Sequence, residues 1–591
     1  MTVLQPRPLA VASAPPRALT LPSIDPWRLL RPAPVVLLFA AYLAVGLAFS
    51  LGAGIVTGDA WSRVGNAYYV LFSRDPHLAA IGFVWNPLPS LLELPILPFV
   101  GLWRPLVDHG VAGSLMSAAC MALAVRELWL WLRDLGPSRP VRIGLTAAFA
   151  AHPLILLYGG NGMSEAPFLL FLIVAGRAFS DWVASGSVGR LAVTGLALAL
   201  AYLTRYEAVA PMIAIGLLTL MVSYHRARGT RQQRVIEAAA DGLIVGMPPI
   251  GAFVAWALAS WLIVGSPFAT FTSIYGNTSQ VALSLAAIRS STGDTPVAAA
   301  IYVGQQIGGL EPFLALIGVV AVLISLLRRD MRVLVPLAVF GSVLAFSTLL
   351  FVGGSSFGWL RFSITAIPLA ATIVALVLSP NRSVARWSSG TPRLAAIARL
   401  VPVARLAPVF RVPASVARRA ASAPRILVSV ALVALVLGGL PSAANVVFDG
   451  RLAREESPQL RGLVGGDRAM PAERNEFLAS GAVARYLDAR NLPRGSVVVD
   501  VALGFWVVLQ SAHPEQFVIT PDRDFDKIVE DPAIFNVPYV LVSPPTGVAA
   551  LNALERSHHG MFADGGGIAT LVQEFDDAGG RPAWRLYRVD E

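Results

Sequence analysis

The sequence predicts a polytopic α-helical membrane protein of about eleven spans, with a small α/β domain outside the bilayer after the last span. Three observations predict it. Apolar stretches of about twenty residues recur along the chain, the length a helix needs to cross a hydrocarbon core. Hydrophobic residues make up 55% of the 591 and charged residues only 14%, which excludes an ordinary soluble enzyme. Beyond residue 447 the long apolar runs stop and acids outnumber bases.

The Pro-rich residues 1–33 read as a disordered cytoplasmic N-terminus. They carry no cleavable signal, because Val35–Val56 is too long for one and lacks a small-residue cleavage site. The membrane domain occupies 34–447. Its expected spans are 35–56, 109–132, 142–158, 166–179, 190–204, 207–223, 240–264, 309–327, 333–352, 359–379 and 426–447. Pro87 to Trp103 is apolar but holds Glu93 and four prolines, and is expected to be an interfacial or re-entrant piece. Residues 57–86 are expected to form a polar and aromatic outer loop, and Pro267 to Gly308 a long outer loop of the kind usually functional or disordered. Residues 448–591 alternate between strand and helix patterns. Strands are expected at Ser496–Asp500, Phe517–Thr520, Tyr539–Ser543, Leu571–Phe575 and Trp584–Val589, and helices at Arg474–Asn491, 525–530 and 548–557. Within that domain Asp500, Asp522, Asp524 and Asp526 are better explained as strand ends and helix caps than as a site.

Arginine placement orients the chain, since cytoplasmic loops carry the excess of positive charge. Arg133, Arg139 and Arg142, then Arg226, Arg228, Arg231 and Arg234, then Arg328, Arg329 and Arg332 fall on one side. Residues 380–425 add nine arginines and no acid on that same side. The other side, before residue 447, has only Arg63, Arg74, Arg104, Arg205, Arg289 and Arg361. The N-terminus is therefore expected in the cytoplasm and the C-terminal domain outside. The net charge of +10 needs no nucleic acid to explain it: the 380–425 loop supplies most of it and is expected to lie on anionic inner-leaflet lipid. Lys527 is the only lysine among 46 basic residues, a usage that points to a GC-rich bacterial genome and hence a bacterial plasma membrane. Cys120 is the only cysteine, so no intrachain disulfide or cysteine-based metal site exists.

On the outer face the candidate residues gather at span ends. Asp59 follows the first span at once, where a carboxylate is desolvated on one side and wet on the other. Such a place raises basicity and suits a general base or the anchor of a divalent cation. Arg63, Trp85 and Asn86 follow it, and a hydrated interfacial aromatic belt explains this stretch equally well. Asn161 and Glu165 flank the start of the fourth span, where a well-capped helix is the competing explanation. Arg205 and Glu207 lie between the fifth and sixth spans, two apart and so better suited to a turn than to one helix face. Tyr275 lies in the long outer loop. Arg361 is the sole cation at the outer mouth of the tenth span, placed to hold a lipid phosphate or to snorkel. Carboxylates, arginines and aromatics at one membrane surface match the needs of glycosyl transfer from a polyprenyl-phosphate sugar. Arginine (Arg361, Arg205, Arg63) neutralises the leaving phosphate, and one carboxylate takes the proton of the attacking hydroxyl.

The chain resembles the GT-C superfamily of integral-membrane glycosyltransferases, near the protein O-mannosyltransferases and the lipid A aminoarabinose transferase. The resemblance covers most of residues 30–445. It is carried by Gly58-Asp59, by Asn161 to Glu165, by Arg205-Tyr206-Glu207, and by Arg361-Phe362 leading toward Pro368. It implies a catalytic role for Asp59, a polyprenyl-phosphate-linked donor and an extracytoplasmic acceptor. One acid stands at Asp59-Ala60 where the superfamily commonly has an acidic pair. The competing class is a lipid or glycan transporter, for which broken helices and ionisable groups near the bilayer midplane are the usual marks.

The arginine partition is open to direct measurement. Reporter fusions ending near residues 230, 330 and 400 are expected to report cytoplasm, and fusions near 285 and 470 the outside. A cytoplasmic signal at 470 reverses the orientation.

Overall fold

The computed structural model describes residues 33–328, 330–379, 425–465 and 472–590. The expectations for the N-terminal tail and for most of the basic loop lie outside the described residues. Eight described helices are long and apolar enough to cross a membrane, and ten if each of two bent pairs counts as one span. The expected spans fall on these and on the shorter apolar helix Val188–Thr204.

Both bends have a proline cause. Arg139–Ala150 and Pro153–Gly160 meet at 59°, and Pro296–Leu310 and Leu314–Arg328 at 83°. Proline pushes the residue before it out of the helical region. His152 accordingly takes φ −61°, ψ 131° before Pro153, and Glu311 takes φ −137°, ψ 76° before Pro312. His152 Nδ1 accepts from the Leu154 amide at 3.2 Å, and its Nε2 lies 3.4 Å from the Leu310 carbonyl. The two breaks therefore meet, and their freed backbone groups are satisfied within the protein, as a bilayer requires.

Two outer segments differ from expectation. Gly58–Phe72 is a helix, not a loop. Its Ala60, Trp61, Val64, Ala67 and Tyr68 are buried at the three- and four-residue spacing of one helix face, a stripe masked by the polar residues between them. The stretch 267–308 is likewise helical over Asn277–Thr292 and Pro296–Leu310; its moderate polarity, not lack of structure, kept it from reading as apolar.

The C-terminal domain forms a five-stranded sheet in the order β2-β1-β3-β5-β4. The strands are β1 Val497–Val499, β2 Phe517–Ile519, β3 Tyr539–Val542, β4 Ala569–Asp576 and β5 Pro582–Val589. β1 is parallel to β2 and β3, and β5 is antiparallel to β3 and β4. The domain shares a core with the first outer helix. Trp61 is fully buried and meets Trp506 edge-on at 5.0 Å and Phe505 at 6.1 Å. Arg74 clamps Asp522 at 2.9 Å and also Asp524, and Arg523 reaches Asp75 at 3.2 Å. Asp500 accepts from the amides of Ala502 and Ala553. Asp500, Asp522 and Asp524 are thus occupied as a helix cap and as docking ion pairs.

The first span approaches Pro153–Gly160 backbone to backbone. A Cβ on Gly160 would stand 2.5 Å from the Tyr42 carbonyl oxygen and 2.6 Å from the Gly46 nitrogen, the close approach small residues allow between membrane helices. Gly160→Val is expected to cost about 1–3 kcal/mol, the usual penalty of overpacking, and to lower the thermal unfolding midpoint in detergent. Gly304→Ala, whose Cβ meets nothing within 4 Å, is expected to leave it unchanged. Equal midpoints for the two variants would contradict this packing.

Candidate active site

Helix starts and turns deliver the charged side chains to one place. Asp59 sits in the first turn of Gly58–Phe72, Glu165 opens Glu165–Ser185, and Arg361 lies in the short turn Leu360–Ser363 that begins a span. Arg205 is extended and followed by the turn Tyr206–Ala208, which lets residues two apart face each other. Helix N-termini carry partial positive charge, so Asp59 and Glu165 sit where a buried acid costs least.

Arg361 is the hub. It is 7% exposed, and three carboxylates surround its guanidinium. Asp59 Oδ2 accepts from Nη2 at 2.9 Å, Glu455 Oε1 from Nη1, and Glu165 Oε1 lies 3.6 Å from Nε. The side chain is turned inward, where snorkelling would turn it toward headgroups. Arg205 forms a second hub: it donates to Glu165 and grips Glu207 through both oxygens, at 2.6 and 3.3 Å. Arg63 is buried, donates to the Asp59 carbonyl at 2.9 Å, and lies over the Trp85 ring at 4.8 Å. Asn86 donates to the Tyr202 carbonyl. Arg361 is thus one of three arginines at this mouth, not the sole cation.

These groups line a cavity of about 260 Å³. Asp59, Arg63, Trp85, Asn86, Arg205, Glu207 and Arg361 are on its wall, and Glu165 stands immediately behind it through both arginine hubs. Asn161 and Tyr275 are not on the wall. Asn161 Oδ1 accepts from the Met163 amide at 3.2 Å, and Tyr275 donates to Asp500 at 2.6 Å, linking the membrane domain to the sheet domain.

Three acids escaped the sequence reading. Glu455 and Glu456 lie beyond the last span in a stretch that looks like a linker, yet Glu455 is on the cavity wall. Glu456 accepts from Tyr158 Oη at 2.8 Å and from the Arg361 amide at 3.1 Å. Burial pushes both carboxyls up, Glu455 well above the usual range, although Arg361 pulls the other way. Glu93, noticed only as an oddity in an apolar stretch, is fully buried with neither oxygen hydrogen-bonded among the described residues; burial raises its carboxyl well above the ordinary value, against the pull of Arg63. Two adjacent acids flanked by Arg454 and Arg451 were the one available signal for the Glu455 pair. Among the described residues no group of three or more His, Cys, Asp or Glu side chains is placed to hold a metal ion; Asp59 faces an arginine instead.

No family model matches the chain, and no curated protein sequence matches it. Among solved structures it is similar to ArnT from Cupriavidus metallidurans bound to undecaprenyl phosphate, at 16% identity and TM-score 0.48, over 93% of this chain and 97% of that one. It is also similar to the archaeal oligosaccharyltransferase AglB from Archaeoglobus fulgidus in complex with an inhibitory peptide and a dolichol-phosphate. That match has 12% identity and TM-score 0.38, over 88% of this chain and 69% of that one.

Proposed function

We propose that the cavity is the active site of a glycosyltransferase that moves a hexose or pentose from a polyprenyl-phosphate donor to an extracytoplasmic acceptor in the cell envelope. The observation that carries this reading is the Asp59–Arg361 pair, 2.9 Å apart on a cavity wall at the ends of apolar helices. A base and a phosphate-binding cation are held there within one hydrogen bond of each other. Donor phosphate enters on the arginine side and takes charge-assisted hydrogen bonds from Arg361, with Arg205 and Arg63 adding positive potential. The acceptor hydroxyl attacks the anomeric carbon while the bond from that carbon to the phosphate oxygen breaks. The electron pair leaves with the phosphate, where the guanidinium stabilises it, and the hydroxyl proton passes to Asp59. Phosphate is a good enough leaving group that no second acid is needed.

Binding and base release are coupled in this scheme. While Arg361 holds Asp59, its Nη2 occupies Asp59 Oδ2 at 2.9 Å. A phosphate that takes over Arg361 frees Asp59 beside the anomeric carbon. A transport reading draws on the two broken helix pairs, but their breaks close on each other through His152 and Leu310. None of their residues lines the cavity, so the charged cluster favours chemistry.

Two variants test the assignment in full-length protein. Arg361→Ala is expected to weaken undecaprenyl phosphate binding by about 1.5–3 kcal/mol, the worth of a charge-assisted contact, and Arg361→Lys to recover part of it. Unchanged affinity in a folded Arg361→Ala protein would remove Arg361 from phosphate binding. Asp59→Asn keeps size and hydrogen-bonding reach while deleting basicity. Its turnover with lipid-linked sugar is expected to fall by about 10²–10⁴-fold, with donor affinity retained, and EDTA is expected to leave the wild-type rate intact. Near-normal turnover in Asp59→Asn would end the case for this base, and loss of the wild-type rate on chelation would instead make Asp59 an anchor for a cation.

A further inference from the structure

The cavity wall has two unlike parts. One is the helix Asn277–Thr292, from which Asn277, Gln280 and Ser284 face the cavity. Spacings of three and four put these side chains on one helix face. Val281, beside them, is buried in the main core and fixes the helix rotation.

The stripe has hydrogen-bonding capacity left over. Asn277 Nδ2 lies 3.4 Å from the Ser355 carbonyl, and Gln280 Nε2 donates to the Tyr275 carbonyl at 2.8 Å. Each amide is thereby oriented through its nitrogen. Among the described residues neither amide oxygen accepts a hydrogen bond, and the Ser284 hydroxyl makes none. Two oriented acceptors and one rotatable hydroxyl, each about one turn from the next, can meet the donors and acceptors that a sugar presents. Trp85 and Trp359 also line the cavity, and Trp359 is braced by Phe357 stacked on it at 5.3 Å. These rings offer flat apolar surface to the C–H face of a sugar.

Resting on the glycosyltransferase reading above, we propose that the Asn277–Gln280–Ser284 face is the subsite for the transferred glycosyl group, and that this group is a single uncharged monosaccharide. Size supports the first limit. A cavity of about 260 Å³ falls just under the roughly 300–1,000 Å³ usual for small-molecule sites, room for one ring beside a phosphate and not for an oligosaccharide. Charge supports the second. On the cavity wall three carboxylates, Asp59, Glu207 and Glu455, stand against three guanidiniums, Arg63, Arg205 and Arg361, and the amide face carries no charge. An ammonium or carboxylate substituent laid against that face would lose water and gain no counter-ion.

The test compares lipids that differ only in the head sugar, with the whole protein in lipid nanodiscs. The probes are undecaprenyl phosphate alone and the same lipid carrying glucose, galactose, mannose or glucosamine. Wild type is expected to bind one of the neutral glycolipids at least tenfold more tightly than bare undecaprenyl phosphate. Asn277→Leu and Gln280→Leu are expected each to lose most of that tenfold preference, about what one hydrogen bond contributes. Bare-lipid affinity should stay unchanged, which also shows that the variants fold. Equal weakening toward bare and glycosylated lipid would make the stripe structural and overturn the subsite. An unaltered preference in both variants would do the same, and tightest binding of the glucosamine lipid would overturn the uncharged class. Failure of the donor reading looks different: wild type would bind none of the lipids, or bind bare undecaprenyl phosphate with no dependence on Arg361.

Discussion

A guanidinium held among three carboxylates organises this molecule. Arg361 draws together Asp59 from the first outer helix, Glu165 from the start of a span and Glu455 from beyond the last span. Three distant parts of the chain therefore converge on one side chain. Each charge buried here gives up hydration worth several kcal/mol, and only close, complementary partners offset that loss. The cluster is for that reason a poor choice if stability alone were at stake, because an apolar packing of similar volume is often as stable. It makes sense as a place where charge is kept ready for an anionic ligand.

The surrounding scaffold explains why the cluster holds its shape. The X-Pro bends at His152 and Glu311 keep two helix pairs from running straight, and the contact of His152 with Leu310 ties the breaks together. Glycines 46 and 160 bring the first span against Pro153–Gly160, and Tyr158 on that helix holds Glu456 next to Arg361. Trp61 locks the helix bearing Asp59 into the sheet domain. That domain is part of the support for Asp59: the buried face of the helix packs on Phe505 and Trp506, while its first turn points into the cavity.

Much of this was legible in the sequence, and the failures have physical causes. Spans were readable because length and apolarity are local properties, and the β-branched runs at 497–499 and 517–519 announced the parallel strands. The helix at 58–72 was missed because its apolar residues pack against a domain more than four hundred residues away, so nothing nearby marked them as buried. Asp59, Arg205, Glu207 and Arg361, which share a cavity wall, were singled out by position at span mouths, but the Asp59–Arg361 pair was not, since an ion pair across 302 residues leaves no local pattern. Glu455 and Glu456 look like any solvated charge run until Tyr158 and Arg361 are placed beside them. Tyr275, a substrate-binding or supporting candidate from its loop, is off the cavity wall, and its hydroxyl goes to Asp500.

The charge balance of the cluster bears on how a phosphate enters it. Asp59, Glu165, Glu207, Glu455 and Glu456 face Arg63, Arg205 and Arg361, an excess of acid in a poorly hydrated place. Burial raises the carboxyls of Glu455 and Glu456, against the pull of Arg361. A donor phosphate brings further negative charge and competes for the same guanidinium. It displaces whichever carboxylate yields at least cost, and a carboxyl that takes up a proton as it leaves yields most readily. Glu455, on Arg361 Nη1, is that group, because burial already favours its neutral form. Under the proposed chemistry Glu455 yields first, and the phosphate, once on Arg361, also frees Asp59 to accept the proton of the acceptor.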